Sequence, residues 1–303
     1  MAVEASPAPQ ASRLDGRTLP GAQVLREVAR RPAGLFGLVV VVGLLVIVIF
    51  APQLAPYEAS AQRITDRLQG PSASHLLGTD ELGRDLLSRL LFGTRIALGV
   101  AFPAVLVALV GGLIVGIIAG YLGGWVDKAL VVVMDTVQAF PAVILALALL
   151  ALLGPSLQNV VIVIAVSFAP GYARVARALV LSTKQNLYVD AERALGAGDG
   201  RIIGVHILPN IVAPLFILLA MDLPAAITVE AGLSFLGVGV QPPTPSWGVI
   251  LADGFDRIRV TPWPVLTAGL TLMITTLGFT MLGETLRDVI DPRLAGIRRW
   301  NRG

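Results

Sequence analysis

The sequence predicts an all-α membrane protein that crosses the bilayer six times. Of its 303 residues, 55% are hydrophobic and only 14% are charged, and the mean hydropathy is +0.79. This composition is typical of an integral membrane protein. Lipid offers no hydrogen-bond partners to backbone groups, so a membrane span must be an α-helix or a strand of a closed barrel. The apolar runs here are too long and continuous for barrel strands.

Six mostly uncharged runs approach the roughly 20 residues that a transmembrane helix needs. They are 33–52, a stretch within 96–126, 129–153, 157–180, 211–236 and 264–283. The first span follows a polar tail and is too long for a signal-peptide core, so we expect it to stay as an anchor.

The basic residues predict the orientation of these spans. Most of the 23 Lys and Arg residues fall in segments that share one side when both termini are cytoplasmic, and basic residues are retained on that side. The cytoplasmic segments are then a tail over 1–32, a loop over 188–209 and a tail over 289–303. The first twenty residues, rich in Ala, Pro and Ser, are expected to be disordered.

Several kinds of chemistry are excluded. The chain has no cysteine, its two lysines follow no glycine-rich phosphate loop, and its histidines lie in no HExxH motif. The sequence GAGD at 196–199 matches a short signature of intramembrane aspartyl proteases, but it lies in a loop between Arg193 and Arg201. We therefore expect no catalytic residue, no metal site and no cofactor bound by this chain, and the basic flanks indicate topology rather than nucleic-acid binding.

The outer segment 53–95 ends in HLLGTDELGRDLLSRLLFGTR. Leu82, Leu86 and Leu90 recur at four-residue spacing, with Arg84 and Arg89 on the other face. This pattern predicts an amphipathic elbow helix lying at the membrane surface, with a solute-contact role as the alternative.

Small and acidic residues mark positions inside the spans. Glycines at 112, 116, 120 and 124 form a smooth strip that favours close helix packing.

Four acidic residues lie within or at the ends of spans, where a charge must face the bundle interior, a partner chain or water. They are Asp135, Asp222, Glu230 and Glu284. They are candidates for lining a pathway or for hydrogen bonds to a partner helix.

The loop 188–209 reads YVDAERALGAGDGRIIGVHILP and predicts a helix, a glycine-rich turn and a second helix. A short cytoplasmic helix with small and charged residues is suited to docking in a groove of a soluble partner. The alternative is a solvated linker.

The order of residues in this loop resembles the EAA loop of ABC importer permeases, whose pattern is EAA, three residues, Gly, nine residues and IxLP. Asp190 and Glu192 stand where that pattern has Glu and Ala, and His206 stands where it has Ile. The resemblance implies that these residues couple the chain to an ATPase: Asp190, Ala191, Glu192, Arg193, Gly196, Ile207, Leu208 and Pro209.

Two further blocks, the end of the outer segment and EAGLSFLGVGVQPPTPSWG at 230–248, are similar to the dipeptide, oligopeptide and nickel permease family. The resemblance implies a type I ABC importer permease fold with a core over 96–288. It also implies a second homologous permease, two ATPase subunits that use ATP and Mg, and an extracytoplasmic solute-binding protein in the inner membrane of a prokaryote. Peptides are the expected solute; nickel, opines and small glycosides stay open, and a passive channel or membrane scaffold is the alternative of another class.

On this resemblance the outer loop 237–263, with Pro242, Pro243 and Trp247, faces the binding protein or folds back as a gate. The alternative is that Trp247 anchors the loop at the membrane interface.

Overall fold

The computed structural model describes residues 21–290, and the predicted tail segments over 1–20 and 291–303 lie outside them. The described chain is built from helices joined by turns. In chain order they are α1 (Gly21–Ala29), α2 (Pro32–Leu54), α3 (Leu86–Leu122), α4 (Gly124–Gln138), α5 (Ala142–Leu153), α6 (Leu157–Lys184), α7 (Leu187–Ala194), α8 (Asp199–Arg201), α9 (Leu208–Phe235), α10 (Trp247–Asp256) and α11 (Trp263–Ile290). A π-helical segment, Ile202–Ile207, joins α8 to α9.

Five predicted spans are confirmed as unbroken helices that are long and apolar enough to cross a membrane: α2, α3, α6, the run from α8 through α9, and α11. The third predicted span is divided between α4 and α5, which meet at 91°. Pro141 precedes α5, and a proline lacks the N–H of a helical hydrogen bond and disfavours helical backbone in the residue before it. The third predicted span, 129–153, is therefore bent, and the bent pair counted as one span makes six.

The bundle has two ends, which we name by the segments that they carry. The cap end carries residues 55–85 and 237–262, and the loop end carries residues 185–207. Helix α3 connects them, since it follows the cap at Leu86 and its Tyr121 contacts Asp199. Its 37 residues rise about 55 Å, which exceeds the bilayer core. Both ends of the described chain lie at the loop end, where Arg31 and Asp288 are paired at 3.4 Å.

Helices α3 and α6 pack most closely, and the glycine strip is the reason. A Cβ added at Gly112 would lie 2.6 Å from the carbonyl oxygen of Ala169, and one added at Gly116 would lie 2.6 Å from that of Ala173. Gly120 continues the strip against Val180. The predicted close packing is thus confirmed for these three glycines. A Cβ at the fourth, 124, would meet no described atom within 4 Å, because it follows the turn after α3.

The predicted elbow helix is absent from the described cap. Residues before Leu86 form turns and a short 3-10 segment, and Gly83 has a φ of +71°, which interrupts helical backbone. Helix α3 begins instead at Leu86, and its N-cap residue Asp85 accepts a hydrogen bond from the backbone N–H of Ser88 at 2.8 Å. Arg84 and Arg89 are buried rather than exposed to water at a membrane surface. The amphipathic pattern therefore marks the start of a buried span.

Candidate functional site

Helix α7 carries four of the eight residues predicted to couple the chain to a partner. Asp190 lies in its first turn and Arg193 in its last, where each charge complements the helix dipole. The helix ends before Gly196, whose φ of +86° is the left-handed backbone that glycine adopts at low cost. The N–H of Ala197 donates to the carbonyl of Glu192 at 3.0 Å, which forms a Schellman cap. The predicted helix and turn are confirmed, and the second helix is continuous with α9.

A small apolar core attaches α7 to the bundle. Val189 of α7 is fully buried and clusters with Ile202 and Ile207 of the π-helical segment, Tyr121 of α3 and Val180 of α6. Ile207 was predicted as a coupling residue, but its side chain is enclosed by this core. The side chain therefore packs the loop against the bundle and is not exposed on the surface of the described residues.

Polar contacts join the same helices at the loop end. The Tyr121 hydroxyl donates to Oδ1 of Asp199 at 2.5 Å, and the Lys184 ammonium donates to the Tyr121 carbonyl at 2.6 Å. Arg177 of α6 binds both carboxylate oxygens of Asp127 of α4, at 2.5 and 2.7 Å. Bidentate pairs of this kind fix orientation as well as distance. These contacts join the loop to α3, α3 to the end of α6, and α6 to α4.

The outer surface of the loop is only partly polar. Leu187 is 86% exposed and Leu195 is 84% exposed, one at each end of α7. Sequence reasoning missed both, although two leucines eight residues apart in a polar helix beyond the spans were a usable signal. Among the predicted coupling residues, Glu192 and Leu208 are half-buried, and the exposed ones are Asp190, Ala191, Arg193, Gly196 and Pro209.

Two positions that depart from the EAA pattern face each other. Oε2 of Glu192 on α7 lies 3.7 Å from Nε2 of His206 in the π-helical segment. The His206 ring also lies 6.0 Å from that of Tyr188. Helix α7 and the π-helical segment are thus connected by side-chain contacts as well as by the turn between them.

At the cap end, a cluster of two arginines and two aspartates replaces the predicted polar surface. Asp80 accepts from Nε of Arg84 at 2.6 Å and also from Arg89, which is only 1% exposed. Asp253 of α10 lies 3.3 Å from Arg84 and 3.6 Å from Arg89. Desolvation raises the pKa of the Asp253 carboxyl, and the two arginines oppose that effect. The cluster attaches residues 80–84 and α3 to α10.

Trp247 opens α10 and is fully buried. Its indole Nε1–H donates to the carbonyl of Leu90 at 3.1 Å, and a Cβ added at Gly93 would lie 2.9 Å from its Cδ1. Trp247 is therefore enclosed against α3, so in this structure its side chain neither contacts a binding protein nor anchors the loop at the membrane interface. The expectation that the loop acts as a gate stays a prediction. Pro242 and Pro243 are exposed on the preceding loop.

Glu230 of α9 is also fully buried. Its Oε1 accepts from the hydroxyls of Ser234 at 2.8 Å and Ser246 at 3.2 Å. Oε2 meets no hydrogen-bond partner among residues 21–290. Glu230 therefore does not line an open pathway in this structure, and it joins α9 to the start of α10.

The other three acidic candidates have different surroundings. Asp135 of α4 is exposed and pairs with Arg174 of α6 at 2.8 Å. Asp222 of α9 is half-buried and interacts electrostatically with buried Tyr172 of α6. Glu284 of α11 is exposed. The structure thus distributes the acidic residues over three helices and does not gather them into one site.

Comparisons with known proteins agree with this geometry. Residues 112–296 match the family model of binding-protein-dependent transport system inner membrane components, and residues 20–71 match the N-terminal TM domain of oligopeptide transport permease C. In structure the chain is similar to the MetNI methionine ABC transporter in an inward-facing conformation. That match has a TM-score of 0.55 and 20% identity and covers 68% of this chain and 98% of the other, so it supports the fold alone.

Curated relatives cover most of the chain. It is 40% identical to the dipeptide transport system permease protein DppC of Alkalihalophilus pseudofirmus, over 91% of this chain and 90% of that protein. It is also 40% identical to the glutathione transport system permease protein GsiD of Pectobacterium atrosepticum and to the di/tripeptide permease DppC of Pseudomonas aeruginosa, with coverage between 88% and 90%. The chain therefore belongs to the family of binding-protein-dependent transport system inner membrane components, as a multi-pass permease subunit.

Proposed function

We propose that this chain is a permease subunit of an ATP-driven ABC importer for peptides, and that the loop 188–209 receives the motion of partner ATPases. The loop end, with both termini, then faces the cytoplasm, and the cap faces outward across the inner membrane of a prokaryote. The excess of basic residues in the segments of the loop end supports this orientation.

The coupling assignment rests mainly on one observation: a short exposed helix is rigidly attached to the ends of several spans. Leu187 and Leu195 are available to a partner, while Val189 on the same helix is buried against the bundle. ATP can drive a cycle only if its binding energy differs between two states of the transporter, which requires a mechanical link between the subunits. Helix α7 provides both the contact surface and the link.

The proposed assembly contains a second homologous permease, two ATPase subunits that bind ATP and Mg, and an extracytoplasmic solute-binding protein. The family description, which names binding-protein-dependent transport, supports the last of these. The absence of a phosphate loop from the sequence supports separate ATPases.

Peptides are the proposed solute because relatives at 40% identity are named for dipeptide, di/tripeptide and glutathione transport. Import of nickel or another small solute by the same fold is the alternative. ATP-driven uptake of a labelled dipeptide into proteoliposomes, with binding protein outside and ATP inside, discriminates between them when labelled nickel is offered in parallel.

The coupling site is tested by Leu195→Glu, with Leu76→Glu as the matched control. Leu76 is 62% exposed in the cap, so the control adds the same charge at an exposed leucine of the opposite end. Removing one large apolar contact and adding a charge at an interface should lower ATPase binding by about tenfold or more. The tagged chain is purified in mild detergent from native membranes, and the co-purifying proteins are identified.

We expect the unchanged chain and Leu76→Glu to retain the second permease and the ATPases, and Leu195→Glu to lose only the ATPases. Full ATPase recovery with Leu195→Glu would contradict the docking site. Recovery of the unchanged chain alone, or dipeptide flux that needs no ATP, would favour a scaffold or a passive channel.

A further inference from the structure

A groove of about 470 Å³ opens at the cap end between α3 and the loop before α10. One wall is formed by Phe92, Arg95 and Ile96 of α3, and the other by Pro243, Thr244 and Pro245. Its volume lies in the range of about 300 to 1,000 Å³ that small-molecule sites occupy.

Arg95 is the charged residue of this groove. It is exposed, and among residues 21–290 it makes no hydrogen bond or ion pair. Arg84 and Arg89, on the preceding turns, are both paired with Asp80. An unpaired guanidinium on a membrane-spanning helix is costly unless it faces water or an anionic partner. Arg95 is therefore free to bind an anion that the described chain does not supply.

Hydrogen bonds to two serine side chains fix the loop that forms the opposite wall of the groove. The Ser234 hydroxyl accepts from the N–H of Val240 at 3.0 Å, and the Ser246 hydroxyl accepts from that of Gly248 at 3.2 Å. Both serine hydroxyls donate to the buried Glu230 carboxylate. The loop that carries Thr244 is thus fixed at both of its ends, so the groove is preformed, which lowers the entropy cost of binding.

An uncovered apolar stripe descends from Arg95 toward the loop end. Phe102 and Leu106 lie on the same face of α3 and are exposed. The proposed assembly supplies a second permease that would cover this stripe in the membrane. The groove lies at the outer end of the stripe.

We propose that this groove binds the terminal carboxylate of an incoming peptide, with Arg95 as the anion ligand. The inference rests on the proposed function. A guanidinium matches a carboxylate with two parallel hydrogen bonds. Phe92, Ile96 and the two prolines offer apolar surface to the peptide's side chains. A lipid phosphate is the other anion that could reach Arg95, and the experiment separates the two.

Because the chain has no natural cysteine, a single reporter can be placed in the groove. Thr244→Cys is introduced into the full complex in lipid nanodiscs. The rate at which a membrane-impermeant maleimide labels this cysteine is then measured. The probes are trialanine and its C-terminal amide, which differ in the carboxylate. Leu76→Cys, in the cap but outside the groove walls, is the matched control.

We expect trialanine to slow labelling at position 244, the amide to have little effect, and position 76 to be unchanged. Adding Arg95→Gln should raise the trialanine concentration needed for protection by about tenfold, because the charged hydrogen-bond donor to the carboxylate is lost. Arg95→Lys should restore part of the protection, since the charge is kept and the two-bonded geometry is lost. Pro245→Cys serves as the reporter if Thr244→Cys does not assemble.

Equal effects of trialanine and its amide, or protection that survives Arg95→Gln, would overturn the proposal. Labelling that responds to anionic lipid in the nanodisc and not to trialanine would assign Arg95 to a lipid headgroup. ATP-driven uptake of trialanine by the same preparation tests the proposed function separately. Uptake without protection overturns the groove alone, and the absence of both overturns the peptide assignment as well.

Discussion

Two adjacent glycines of α3 allow a sharp test of the packing that joins α3 to α6. A Cβ added at Gly112 would lie 2.5 Å from Cβ of Tyr172, 2.6 Å from the Ala169 carbonyl oxygen and 2.8 Å from the Ala173 nitrogen. A Cβ added at Gly111 would meet no described atom within 4 Å. The substitutions Gly112→Ala and Gly111→Ala therefore add the same methyl group one residue apart, in opposite environments.

The expected magnitudes follow from these distances. Replacing glycine by alanine inside a helix gains about 1 kcal/mol at either position. Ordinary contact begins at 3.4 Å, so at residue 112 the helices must separate by several tenths of an ångström, and two of the opposing atoms are backbone. Overpacking of this kind costs about 1 to 3 kcal/mol, and the rigid opposing backbone places this case at the upper end. Gly112→Ala should therefore be about 3 kcal/mol less stable than Gly111→Ala.

The assay is thermal unfolding of the purified chain in one detergent, followed by loss of the monodisperse peak in size-exclusion chromatography. A difference of 1 kcal/mol shifts the midpoint by about 2 to 4 °C in proteins somewhat smaller than this one, so the two variants should differ by roughly 6 to 12 °C. Gly111→Ala should unfold at or above the midpoint of the unchanged chain. Equal midpoints for the two variants would show that α3 and α6 do not approach as closely as described.

Two further predictions concern the loop and the cap. Gly196→Val should impair ATP-driven uptake, because the left-handed backbone at this position costs a residue with a side chain about 1 to 2 kcal/mol. Gly196→Asn should retain uptake, since asparagine tolerates that backbone. Equal uptake by the two variants, when both assemble, would argue against a role of the turn. The raised pKa of Asp253 means that the folded state binds its proton more tightly than the unfolded state, so this group's contribution to stability should fall as pH rises from about 4 through the raised pKa. Asp253→Asn should remove that part of the pH dependence of the unfolding midpoint, and identical pH profiles would contradict it.

Local features of the sequence predicted much of the fold. The spans followed from runs of apolar residues, because each helix must satisfy its own backbone in lipid. The turn at Gly196 and the glycine strip through Gly112 and Gly116 were also predicted, since left-handed backbone and close helix approach both depend on the absence of a Cβ. These properties depend on residues close together in the chain.

The errors arose where distant segments decide the environment of a residue. Arg84 and Arg89 resembled the polar face of a surface helix, but α10 supplies Asp253 and the cap encloses them. Trp247 resembled an interfacial anchor, but it is buried against Leu90. The angle of 91° between α4 and α5 was not predicted, because packing fixes the direction of the chain after a break.

The sequence by itself determined that this chain is a helical membrane protein and where its spans lie, because hydropathy and charge distribution are sufficient for these conclusions. Its motifs resemble those of a permease family, and one loop resembles a coupling loop. The tertiary structure decided which polar residues are buried in pairs, such as Arg89 with Asp80, and which have no partner among residues 21–290, such as Arg95. It also decided that Val189 faces the bundle while Leu195 faces outward. The physical reason is that desolvation and pairing depend on neighbours in space, which lie up to hundreds of residues away in the chain.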